Sequence, residues 1–452
     1  MSNLDETHDA RLRSWVPSAG AAGTDFPLQN LPFGIFRRPR KVDYARIGVA
    51  IGAEVFDLRR AVAVGALGSL PPALHDAAQA PTLNDLMALG PPAARTLRAA
   101  VHALLRADST LSRPPAECLV PLDQADLLLP AGIGDYTDFY ASIHHATNVG
   151  SMFRPEQPLM PNYKWMPVGY HGRASSIVPS GTPIIRPQGQ LRDDGAAAPV
   201  FGATRALDYE CELGAWVGWG TSLGVPPRIA KAAEHLFGFS LVNDWSARDM
   251  QRWEYQPLGP FLAKSFATTI SPWVVTVEAL APFRAPRAPR PEGDPAPLPY
   301  LDDAEDREEG GLDIELTVHL ASAEMRRTGI PPMQVSRADF AAMYWTPAQL
   351  LAHHASNGCN LRPGDLLASG TVSGPAKENR GCLLELTWRG TEPLTLPSGE
   401  TRRFLEDGDE VVMRGRCVRE GFSSIGFGEC RGLVLPATEP VPGRPWPLAL
   451  ER

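Results

Sequence analysis

The stretch Asp138–Gly150, DFYASIHHATNVG, combines a carboxylate, the phenol of Tyr140, two adjacent histidines and an Asn–Val–Gly turn. Neighbouring residues leave any regular element in different directions, so only one of His144 and His145 can face a given site. Glu210 and Glu212, in LDYECELGAWVGW, lie two apart and on a strand would project from one face. Like charges on one face repel unless a cation lies between them. A solvated edge is the alternative, but the apolar residues after Glu212 favour burial and a shared divalent ion. In LVNDWSARDMQRWEYQPLGPFLAKSFATT, Asp244 ends an apolar strand, and Arg248, Gln251, Tyr255 and Lys264 follow within a short span. Solvated ion pairs on a helix are the bland reading of that segment. Asp138, Glu210, Glu212 and Asp244 together make an all-oxygen set of the kind that Ca²⁺ or Mg²⁺ uses. A transition metal would more often recruit the histidines. No EF-hand loop is present, so these ligands would have to converge from separate segments.

NGCNLRPGDLLASGTVSG adds Gly370 and Gly374, which allow close backbone approach to a ligand, and the hydroxyl of Thr371. Glu385 lies in CLLELTW, which reads as a strand; an unpaired carboxylate among leucines is costly there. A histidine partner would satisfy it and become a better base, and a structural salt bridge with an arginine is the alternative. His353 and His354 fall in an expected helix and read as packing or surface residues.

The elements that must position these groups read as mostly β with a few helices. CELGAWVGW, GFSLVND, PWVVTVEA, LDIELTVHL and DEVVMRGRC have strand patterns. Helices are expected over TLNDLMALG, capped by Thr82 and stopped by Gly90, over AARTLRAAVHALLRAD, over IAKAAEHLF, and from Thr346–Pro347 to Asn357–Gly358. Residues 1–25 read as a flexible lead, 26–125 as a small N-terminal β domain and 126–452 as the catalytic domain. Gly and Pro number 41 and 45 of 452 residues, a loop-rich composition below the roughly 25–30% that marks disorder. The net charge of −8 argues against a nucleic-acid partner, which would need a basic patch. No apolar run is long enough for a membrane span. The six cysteines include no CxxC pair and follow no secretory signal, which fits free thiols in a reducing cytoplasm.

DYTDFYASIHHATNVGSMFRP, PVGYHGRASSIVPSGTPI, NDWSARDMQRWEYQPLGPFLAKSFATTISPWVV and NGCNLRPGDLLASGTVSG closely resemble the fumarylacetoacetate hydrolase family. The resemblance runs from about FPLQNLPFGIF to GFGEC. It implies an N-terminal SH3-like β-barrel followed by a larger mixed β-sandwich roll, assembled as a homodimer. It also implies hydrolysis of the carbon–carbon bond of 4-fumarylacetoacetate. By the same resemblance the metal carboxylates are Asp138, Glu210, Glu212 and Asp244, with a second, Mg²⁺-type position near Asp244, Lys264 and Thr268. The catalytic pair is His145 and Glu385, with Arg248 and Lys264 polarising the reacting carbonyl. Tyr140, Arg154, Tyr170, Gln251, Tyr255 and Thr371 are the implied substrate contacts. Ile143–His144 stand where the family has Arg–Gln, and Ala267 where it has Gly. Acylpyruvate hydrolases and oxaloacetate decarboxylases share the metal carboxylates but generally lack the N-terminal barrel. A cation-stabilised binding protein would have lost His145, Glu385, Arg248 or Lys264.

His145→Ala should lower kcat by about 10²–10⁴, the usual worth of a general base, and His144→Ala far less. Steady-state kinetics of the two variants checks this; the reverse order would shift the base by one residue.

Overall fold

The computed structural model describes residues 4–39 and 43–438. At its centre the strands Cys211–Val217 and Leu236–Asp244 are buried along their whole length. Burial on both faces explains why they read as continuous apolar runs. They pair antiparallel, with Cys211 opposite Asn243 and Glu212 opposite Val242. Leu366–Ala368 borders the first strand, and Tyr136–Phe139 lies parallel to it with Asp138 opposite Ala368. Gly169–His171 continues the sheet, setting Tyr170 opposite Asp138. Across the other edge Thr268–Ile270 sets Thr268 opposite Asp244. These directions gather Asp138, Glu210, Glu212, Asp244, Thr268 and the chain after Ala368 at one end of the sheet.

A second sheet of five strands runs Met333–Asp339, Glu315–Ala321, Glu410–Cys417, Ile425–Leu435 and Ile184–Ile185. It packs against the central strands closely enough that Gly432 can be nothing larger. A Cβ there would stand 2.3 Å from the buried indole of Trp245.

Phe33–Arg37, Arg46–Ile51, Glu54–Asp57 and Leu119–Pro121 form an antiparallel meander. The expected SH3-like barrel is not seen: no closed barrel occurs among the described residues. The free edge of Phe33–Arg37 is divided instead. Ile35–Arg37 pair with Asp126–Leu128, while Phe33 and Gly34 pair with Val274 and Trp273 of the central sheet. The edge that would close a barrel is used to join the two parts, and the result is one sheet of thirteen strands.

The helix Pro91–Leu105 buries Ala94, Leu97, Val101, Leu104 and Leu105, the apolar stripe that its spacing demands. Thr82 does not cap the preceding helix, which begins at Asn84 after Leu83 without a side-chain cap. Thr346 does cap Pro347–Ala355, in a reciprocal box with Gln349. The segment expected as a flexible lead is fastened from Thr7 onward. The buried Arg98 donates to the Asn30 carbonyl at 3.1 Å, to the Thr7 hydroxyl and to the Gln29 carbonyl. His8 Nε2 meets the carbonyl of Glu278 at 2.8 Å, and Val16 and Ala19 enter the N-terminal core.

Candidate active site and metal centre

At the shared end of the sheet, one carboxylate oxygen from each of Asp138, Glu210, Glu212 and Asp244 lies within 4.8 Å of the others, and all four residues are buried. The surroundings answer part of this charge. Lys264 Nζ donates to both Glu210 and Asp244. Arg248 Nη1 lies 2.7 Å from Glu210 Oε1. Thr268 Oγ1 and the Tyr170 hydroxyl donate to Asp244 at 3.0 and 2.7 Å. The N–H of Gly370 lies 3.1 Å from Asp138 Oδ1 and 3.2 Å from Glu212 Oε2. Gly370 holds φ +76°, and a Cβ there would strike the carbonyl of Phe139 at 2.2 Å, so this donor requires glycine.

Two fixed cations, one of them shared with the buried Asp208, leave at least two of the four carboxylate charges uncompensated. Burial, and then the neighbouring carboxylates, push Asp138 and Glu212 well above the usual range. Glu212 Oε1 is buried with no hydrogen-bond partner among the described residues. Hard, anionic oxygen donors with an unsatisfied lone pair fit a divalent cation, and Asp138, Glu210, Glu212 and Asp244 are the residues that would hold it. The Lys264 ammonium carries only donors, so it serves as a counter-charge to these carboxylates.

Next to this cluster, His145 Nδ1 lies 2.6 Å from Glu385 Oε2. His145 sits in the first turn of the helix Ile143–Phe153, whose cap Ser142 accepts its N–H at 3.2 Å. It faces inward, while His144 is only half-buried. Glu385 is not in a strand, as its sequence context suggests. It lies in the short helix Leu383–Leu386, with side chains fully buried. Its carboxylate also accepts from Asn148 Nδ2 and Ser373 Oγ, each at 2.8 Å, and from Cys382 Sγ at 3.2 Å. Burial opposes its ionisation, but His145 and the bonds from Asn148 and Ser373 outweigh burial and hold it at about 2. An ionised Glu385 accepts the hydrogen bond of Nδ1–H and leaves Nε2 as the basic nitrogen, a tautomer assigned from the partner. His145, Cys382 and Glu385 are near enough to suggest a second metal group. These three groups, however, already bond to one another, His145 Nδ1 and Cys382 Sγ both meeting Glu385 Oε2 at 2.6 and 3.2 Å.

The Tyr140 ring meets His145 edge-on at 5.1 Å between centroids. Gln251 Oε1 accepts from Arg248 Nη1 at 3.1 Å. Arg248 Nη2 and Thr371 Oγ1 are buried with no partner among the described residues, and both are free to bind an oxygen-rich ligand. Two expected contacts stand apart from the cluster. Arg154 is exposed, and among the described residues its side chain reaches only the Pro158 carbonyl, at 3.3 Å. Tyr255 is also exposed, with its hydroxyl 3.1 Å from Gln256 Nε2. Sequence reasoning missed Asn148, Ser373, Cys382 and Asp208. Asn148 had a signal, since it lies three residues after His145 on one helix face. Asp208 had one too, continuing the alternation of Glu210 and Glu212.

Residues 135–435 match the family described as Fumarylacetoacetate (FAA) hydrolase C-terminal, and residues 29–130 match Fumarylacetoacetase N-terminal. The chain belongs to the fumarylacetoacetate hydrolase family. Among its relatives, the fumarylacetoacetase of Bos taurus is 51% identical over 429 residues, spanning 94% of this chain and 99% of the relative. That of Homo sapiens is 50% identical over 432 residues, 94% of this chain and 100% of the relative. That of Oryza sativa subsp. japonica is 47% identical over 433 residues, 94% and 98%.

Removing divalent ions with a chelator should abolish activity and lower Tm, because an ion bound only by the folded state stabilises it by linkage. Adding back Ca²⁺ or Mg²⁺ should restore both. Thermal denaturation with and without chelator checks this, and an unchanged Tm with full activity would count against the metal centre.

Proposed function

We propose that the chain hydrolyses 4-fumarylacetoacetate to fumarate and acetoacetate, the last step of tyrosine and phenylalanine catabolism. The carrying observation is the His145–Glu385 pair at 2.6 Å beside the four-carboxylate cluster and the unpaired Arg248 Nη2. A bound Ca²⁺, with Mg²⁺ in the second position near Asp244, Lys264 and Thr268, would supply Lewis-acid polarisation of the substrate's dioxo unit. His145 Nε2 takes a proton from water, and Glu385 stabilises the imidazolium that forms. The hydroxide adds to the carbonyl next to the fumaryl group. Arg248, Gln251 and Lys264 face the charge that develops on that oxygen. The carbon–carbon bond then breaks, fumarate keeps the hydroxyl oxygen, and the acetoacetate carbon departs as an enolate that His145 reprotonates. Tyr140, Tyr170 and Thr371 line the inner part of the site. The reading assigns Arg154 and Tyr255, both exposed, to the far carboxylate of the substrate.

The reading includes a homodimer. In support, Phe201 and Leu258 are 70% and 94% exposed, on the hairpin and loop that flank the helix Arg248–Glu254. A contiguous patch built from such groups would mark an interaction surface. It also includes a cytoplasmic location, supported by six free cysteines, five of them buried. No helix among the described residues is long and apolar enough to cross a membrane.

Fumarylacetoacetate should be preferred over acetylpyruvate by at least about tenfold in kcat/KM, equivalent to about 1.4 kcal/mol. A short acylpyruvate leaves the donors for the far carboxylate unpaired, and a charge-assisted bond from arginine is worth about 1.5–3 kcal/mol. Arg154→Ala should erase most of the preference while sparing the short substrate. Loss of diketone absorbance measures both, and equal kcat/KM for the two substrates would favour an acylpyruvate hydrolase. Sedimentation velocity should give a dimer, and Leu258→Asp should shift it towards monomer; a monomeric unaltered protein would remove the dimer from the reading.

A further inference from the structure

Asp208 is fully buried and accepts four hydrogen bonds, none of them from a member of the four-carboxylate cluster. Oδ1 takes the N–H of its neighbour Tyr209 at 2.9 Å and that of Leu383 at 2.8 Å. Oδ2 takes the N–H of Leu384 and Nε of Arg248, both at 2.9 Å. Leu383 and Leu384 open the helix Leu383–Leu386, and the next residue is Glu385. One carboxylate therefore holds the start of the segment that carries the partner of His145, and also one edge of the Arg248 guanidinium.

The backbone enforces this meeting. Leu207–Asp208 pairs with Ser246–Ala247, with Asp208 opposite Ser246, and the N–H of Arg248 bonds to the Ala206 carbonyl at 2.9 Å. With Nε held by Asp208 and Nη1 held by Glu210 at 2.7 Å and Gln251 at 3.1 Å, the plane of the guanidinium is fixed. Only Nη2 is left free. A planar fork anchored on two edges points its remaining donor in one direction.

We infer that Asp208 is a positioning residue that locks Arg248 and the Glu385 helix into one register, so that the oxyanion donor and the base's partner are aligned by a single group. The inference rests on the reading of Arg248 and Glu385 given above. Asp208 itself has no contact with substrate.

The test uses the full-length, metal-loaded protein. Asp208→Asn keeps the shape but turns an N–H donor toward groups that need an acceptor. It should lower kcat about 10–100-fold, the usual cost of losing an outer-sphere partner, while KM moves less than about threefold. In an Arg248→Ala background the same change should cost less than about a third of that factor, since much of its effect is already lost. An equal loss in both backgrounds, or a rise in KM with unchanged kcat, would overturn the inference. If Asp208→Asn does not fold, Arg248→Ala alone still decides. Hydrogen exchange of the peptide backbone over residues 382–387 should speed up at least about tenfold in that variant, because Asp208 loses the partner that fixes it. Unchanged exchange would overturn the inference. This readout needs no substrate, so an unaltered protein inactive on fumarylacetoacetate would refute the proposed reaction and leave the coupling measurable.

Discussion

Four carboxylates brought to one buried point set the terms for everything around them. At separations under 4.8 Å, each ionised pair repels by about 3–4 kcal/mol at an effective dielectric constant of about 20. A chain tolerates that only if cations and N–H or O–H donors are built in to meet it. Here Lys264, Arg248, the Gly370 amide, Thr268 and Tyr170 all point into the same few ångströms. The sheet serves this purpose. Strands from distant parts of the chain all end at one level, so that donors and acceptors meet without a dedicated metal-binding loop.

The site treats its acids in two opposite ways. Burial and then Asp244 push Asp138 up, and burial and then Asp138 push Glu212 up, which is what a cation would reverse. Glu385, as deeply buried, is held near 2 by His145, Asn148 and Ser373. The difference lies in the partners and not in the depth: one group has like charges for neighbours, the other has donors. The same fold end therefore prepares a cation-binding hole on one side and an oriented base on the other.

Much of this was legible in the sequence. The alternation of Glu210 and Glu212, the acid at the end of an apolar strand at Asp244, and the cost of an unpaired Glu385 each point to the site they occupy. Of the two adjacent histidines, His145 is the one that meets Glu385. Other features depend on groups that no local pattern joins. CLLELTW has the apolar content of a strand, yet two amide bonds to Asp208 turn it into a helical turn. The N-terminal strands have the short, broken pattern of a small barrel, but their closure is decided by an edge pairing with Trp273 and Val274. The polar lead reads as loose because its anchor, the buried Arg98, lies far along the chain and within an apolar helix.

That edge pairing also constrains how the molecule is made. Phe33 and Gly34 leave the ribosome about 240 residues ahead of the strand they will hydrogen-bond. Asp126–Leu128 covers the other half of the same edge much earlier, and the remaining two residues stay open throughout synthesis of the intervening chain. Contacts of such long range come late in folding and leave an unpaired edge exposed to other nascent chains meanwhile. The brevity of the gap limits that exposure. The final seam between the two parts cannot close before Trp273 and Val274 have been made, so the N-terminal meander completes its edge as part of the body it supports.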